Sequence, residues 1–153
     1  MSPAVLTRGR SDAADFVLGL ANRERQHMHA SHALGVDDAV YSELMTVWEE
    51  CRRPNWDGLG AVAVTWETVE TARRFLESLP LGMSPTSIGA EPDGDVTIEW
   101  YSSPRRTVSV SATADGELHY AGLFGPNRAY GTESFLDEAP AAIVSLIRRV
   151  FAI

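Results

Sequence analysis

At Thr86 the apolar pattern of this chain changes period, from 3.6 residues before it to 2 after it. Val96, Ile98 and Trp100 alternate with Thr97, Glu99 and Tyr101, and Val108 and Val110 with Thr107, Ser109 and Ser111. Leu118 and Tyr120 alternate in the same way with Glu117 and His119. Turn chemistry separates these runs at Pro92-Asp93-Gly94, Ser102-Ser103-Pro104 and Asp115-Gly116. Connections this short join neighbours in sequence, so the runs predict an antiparallel meander of three to four strands with one buried face. The stretch Gly122 to Gly131 offers a further hairpin, with a turn at Pro126-Asn127. Helices first and strands afterwards place the chain in the α+β class, with helices packed on one sheet face.

The helical part reads as follows. Ser11 can cap a first helix whose stripe, Phe16, Val17, Leu20 and Ala21, is narrow and gives way to the polar run Arg23 to His32. Asp37 caps a second helix, with Val40, Leu44, Val47, Trp48 and Cys51 on one face, and Pro54 ends it. Thr65 caps a third, in which Val69, Ala72, Leu76 and Leu79 share a face flanked by Trp66 and Phe75. A last helix runs from about Pro140 to Phe151, with Ser134 or Asp137 as its expected cap. Its apolar positions, Ile143, Val144, Leu146, Ile147, Val150 and Phe151, cover more than one stripe.

Residues 1–10 read as a flexible leader and residues 11–153 as one domain, made of a helical part (11–53) and a loop-helix-sheet-helix part (54–153). With 44% hydrophobic and 22% charged residues, the chain belongs with folded soluble proteins rather than disordered ones. All 13 basic side chains are Arg, so Schiff-base chemistry and the phosphate-loop Lys are excluded. Net charge is −8, and the segment 54–103 holds most of it, two Arg against eight acids. That balance argues against direct binding to nucleic acid or an anionic membrane. Arg residues pair at Arg52-Arg53, Arg73-Arg74, Arg105-Arg106 and Arg148-Arg149, three of the pairs near expected helix ends, where the dipole favours cations. A lone cysteine, Cys51, permits no internal disulfide, and neither a signal peptide nor a membrane span is apparent, so a reducing cytoplasm is the expected compartment.

The most distinctive stretch is Asn55-Trp56-Asp57-Gly58-Leu59-Gly60-Ala61, between two helices. One reading is a recognition loop anchored by Asp57. The simpler one is that Trp56 plugs the core while Asp57 and Gly58 make a turn. With the following helix and the run Asp93-Gly94-Asp95-Val96-Thr97-Ile98-Glu99-Trp100, this box resembles one seen in short bacterial proteins of no established activity. The resemblance covers roughly residues 52–150. It implies an architecture and assigns no catalytic residue.

Other residues carry weaker chemistry. Glu99 and Asp95, joined by Glu91, form a carboxylate group suited to acid–base or metal work, or simply the wet face of a half-buried sheet. His29 and His32 are three apart, with His27 on another side and Glu24 the nearest carboxylate, which is a thin basis for a metal site. Cys51 falls on an apolar stripe and is expected to be buried and inert. Asn127, Arg128 and Tyr130 can contact a ligand, although a hairpin turn explains them equally well.

Two functions remain. The first is a non-enzymatic protein-binding or regulatory module, antitoxin-like, immunity-like or defence-related, binding through Trp56, Asp57, Glu99, Asn127, Arg128 and Tyr130. Its partner would be another protein, basic or itself nucleic-acid-binding, steered by the acidic middle third. A sharper form is an acidic decoy for a nucleic-acid site. The alternative is a small enzyme with a pocket on the sheet using Asp57, Glu99, His119 or Arg128. No cofactor, metal or catalytic residue is assigned. The apolar excess of the last helix predicts a homodimer, with Val150 and Phe151 near the contact.

Overall fold

The structure, a computed structural model, describes residues 37–152. The leader, the helix expected at Ser11 and the histidines 27, 29 and 32 lie outside the described residues. Three helices, α1 (Asp38–Cys51), α2 (Trp66–Ser78) and α3 (Ala141–Phe151), accompany five strands. These are β1 (Ser87–Ala90), β2 (Val96–Ser103), β3 (Arg106–Ala112), β4 (Glu117–Phe124) and β5 (Asn127–Ser134). The class is α+β, and the meander has five strands rather than three to four, in the order β1-β2-β3-β4-β5, every pair antiparallel.

The two helix starts read from sequence are the ones observed. Asp37 accepts from the Ala39 N–H and Thr65 from the Thr68 N–H, each supplying an acceptor for an otherwise unpaired first-turn donor. The third differs. Pro140 stands at the head of α3, which has no side-chain cap. Ser134 is taken into β5, and Asp137 binds Arg74 at 2.7 Å. Arg73 also departs from the helix-end expectation: it sits within α2 and bonds Glu70 and Glu77 on the neighbouring turns.

All three helices cover one face of the sheet. Val96, Ile98, Trp100, Val108, Val110, Ala112 and Leu118 point into a single core with Leu44, Val69, Phe75, Ile143 and Ile147. Phe75 is central to it rather than flanking, edge-on to both Trp100 and Phe135 at centroid distances of 6.2 and 6.0 Å. The Trp100 indole N–H is satisfied by the Met83 carbonyl at 2.9 Å. Val150 is buried in the same core while Phe151 is half exposed, so the apolar surplus of the last helix is largely met inside its own chain.

Candidate functional site

With the helices on one side, alternation sends every second side chain of the sheet to the other. The register lines these residues up in rows. Glu99, Ser109, Ala121 and Tyr130 form one, and Thr97, Ser111, His119 and Thr132 the next. Tyr101, Thr107, Leu123 and Arg128 form a third. The centre of this face is built of small side chains and its margins of larger ones, with Tyr130 83% exposed on one side and Tyr101 43% on the other. Among the described residues, no helix packs on it.

Four of the sequence candidates therefore share one surface: Glu99, His119, Arg128 and Tyr130. They sit on three strands, Glu99 on β2, His119 on β4 and both Arg128 and Tyr130 on β5, and no hydrogen bond or ion pair joins any two of Asp57, Glu99, His119 and Arg128. His119 instead bonds the Thr132 hydroxyl at 2.8 Å and lies 3.9 Å from Glu117. Asn127 is elsewhere, paired with Phe124 at the β4–β5 turn and hence on the opposite parity.

Trp56 and Asp57 serve the loop itself. One Asp57 carboxylate oxygen accepts from the N–H groups of Leu59 and Ala61, at 2.8 and 3.0 Å. The Asn55 side chain accepts from the Gly60 N–H at 2.7 Å, with Asn55 held at a positive φ of 60°. The Trp56 indole donates to the Val62 carbonyl at 2.9 Å, and its ring packs partly buried against the core. This box is a self-bonded turn. Its exit touches the sheet, because the Val62 N–H donates to the Pro92 carbonyl at 2.8 Å in the β1–β2 connection.

That connection gathers carboxylates. One oxygen from each of Glu91, Asp93 and Asp95 lies within 4.8 Å of the others. Asp93, a turn residue, takes the place that Glu99 was expected to fill. Burial, then repulsion from Asp93 and Glu91, raises the Asp95 pKa above the usual carboxylate value, and His119 opposes the rise. Three carboxylates at this spacing have the chemistry to hold a hard divalent cation. Two of them already have other partners: Glu91 accepts from the hydroxyls of Thr97 and Ser111, and Asp93 from the Asp95 N–H.

The described thiol and crevice lie apart from these groups. Cys51 is buried, and desolvation followed by the nearby Glu50 charge raises its pKa, which leaves it a poor thiolate source. A crevice of about 10 Å³ between α1, α2 and the segment after it is lined by Val40, Leu76, Leu79, Pro80 and Met83, room for about one water. It lies on the helix side, away from the polar rows. No helix among the described residues is long and apolar enough to cross a membrane. No protein-family model, curated protein or solved structure matches the chain.

Proposed function

We propose that this chain is a non-enzymatic protein-binding module and that it binds through the uncovered sheet face. The supporting observation is the face itself: broad, open and polar, with two exposed tyrosines at its margins. Tyrosines are effective anchors because they offer a large rigid area and one polar tip. Glu91, Asp93, Asp95, Glu99 and Glu117 lie on or beside this face, where Arg128 is the permanent cation among the described strand residues that point to it. A basic partner is thus the matching occupant, attracted at long range by the acidic middle of the chain. Such a surface suits an antitoxin-like, immunity-like or defence-related regulator, which acts by occupying another protein. A reducing cytoplasm is the compartment that fits its lone buried thiol. The enzymatic alternative gains nothing from the geometry, since its four residues are not joined.

Affinity capture from the native cell tests this reading when wild type is compared with Tyr101→Arg/Tyr130→Arg at low and high salt. Wild type is expected to retain a stoichiometric basic partner that salt weakens and the double variant loses. Recovery of the chain alone at every salt concentration, or the same proteins with both baits, rejects the proposal.

A further inference from the structure

The two edges of the sheet are treated differently. At β1, four residues long, the outward N–H of Ile88 donates to the Glu43 carboxylate of α1 at 2.9 Å. At β5, eight residues long, nothing among the described residues does the same. The two-residue turn Gly125–Pro126 pairs Phe124 directly with Asn127, and at the far end the Phe135 N–H donates to the Gly116 carbonyl at 2.9 Å. By the alternation of an antiparallel ladder, residues 127, 129, 131 and 133 therefore bond β4, and the main-chain groups of 128, 130, 132 and 134 point outward. β5 runs in unbroken register with β4 and holds no Pro, Lys or bulge. Pro and bulges are among the devices by which edge strands discourage pairing; of the others, β5 carries charges at Arg128 and Glu133.

The strand is also complementary to itself. Arg128 stands near its start, while Glu133 and Glu117, the latter beside Ser134 on β4, stand near its end. Antiparallel pairing of two copies brings each basic end onto the other copy's acidic end. The register that uses all four outward residues has its two-fold axis at Gly131. It sets Arg128 opposite Ser134 of the second copy and Tyr130 opposite Thr132. From there Arg128 reaches across the small Ser134 toward Glu117, which lies on the same open face. Gly131 meets Gly131 at the axis, where the other face is already covered by Tyr120: its hydroxyl lies 2.5 Å from the place a Cβ would take.

We infer that β5 is a dimerisation edge, through which two copies of this chain join antiparallel into one ten-stranded sheet. This goes beyond the binding face proposed above and does not depend on it, because the edge pairs through the outward main-chain groups of β5, although Arg128 and Tyr130 border both surfaces. It also places the contact away from Phe151.

Light scattering across a micromolar concentration series, on wild type and variants, tests the inference. Wild type is expected at the mass of two chains. Thr132→Pro removes an outward N–H and no bond to β4, so it is expected at one chain with an unchanged circular dichroism spectrum. Arg128→Glu is likewise expected at one chain, and Arg128→Glu/Glu117→Arg again at two. A wild-type mass of one chain throughout overturns the inference. So does a dimer that withstands Arg128→Glu, or one that Phe151→Glu dissociates. The charge-reversal pair keeps the question decidable even if the proline variant does not fold.

Discussion

The carboxylate of Glu43, on α1, accepts the main-chain N–H of Ile88, on β1, at 2.9 Å across 45 residues of sequence. A side chain on a helix thus stands where a sixth strand would otherwise supply a carbonyl. Glu43→Ala is expected to cost about 1 kcal/mol, the net worth of one such bond, and to speed amide exchange at Ile88. Glu43→Gln keeps an acceptor oxygen and should retain most of both. Urea midpoints together with exchange at that single amide check the pair. Equal loss in the two variants would show that charge, rather than acceptance, matters there.

Gly94 adopts φ 94° in the carboxylate-bearing turn, and a Cβ there would lie 3.1 Å from the Ala63 carbonyl and from a Val62 methyl. Gly94→Ala should therefore cost roughly 2–4 kcal/mol, a positive-φ penalty added to a crowding penalty. Gly58, at φ 75°, has nothing near its missing Cβ. Gly58→Ala should cost about 1–2 kcal/mol, the conformational part alone. Denaturation of the two variants side by side separates the contributions.

Phe75 is fully buried and meets two aromatic rings edge-on, so truncation leaves a void that helix and sheet cannot both close. Phe75→Ala is expected to lose roughly 3–5 kcal/mol, and Phe75→Leu distinctly less. Melting temperatures, with near-ultraviolet circular dichroism reporting on Trp100, measure both.

The raised pKa of Asp95 has a definite sign in stability. Its ionised form is disfavoured in the folded chain by burial and by Asp93 and Glu91, so the folded state holds this proton more tightly than the unfolded state does. Stability from this group is present at acid pH and is lost as pH rises through the folded pKa. Asp95→Asn is accordingly expected to melt higher than wild type at pH 7, with the gain shrinking toward about pH 3, where the carboxyl is protonated in both states. A gain that persists unchanged at the lower pH would point to a cause other than ionisation.

Alternation made β2, β3 and β4 readable from sequence, because each buries one face against helices and must show period 2. β1 has a single buried residue, Ile88, and one residue carries no period. β5 is an edge whose side chains are nowhere buried, so its sequence, Asn-Arg-Ala-Tyr-Gly-Thr-Glu-Ser, shows only a turn beside it. Local chemistry was legible in the same selective way. Asp57 and Gly58 read as a turn since their bonds are made within five residues. Asp93 did not read as a member of the carboxylate group, because it enters through the curvature of a turn rather than through strand parity. Nor did the bond between Arg74 and Asp137, 63 residues apart, leave any trace in spacing.

The strictly sequential strand order bears on how the molecule is made. During synthesis each strand from β2 onward emerges to find its neighbour already present, so the sheet can extend by successive local hairpins without waiting for distant chain. Its covering does not follow that timetable. Ile143, Ile147 and Val150, which close part of the core over β2, β3 and β4, belong to a helix that leaves the ribosome only after all five strands. A nascent chain halted before Ala141 carries a complete sheet with part of its apolar side bare, a sticky intermediate that the following eleven-residue helix removes.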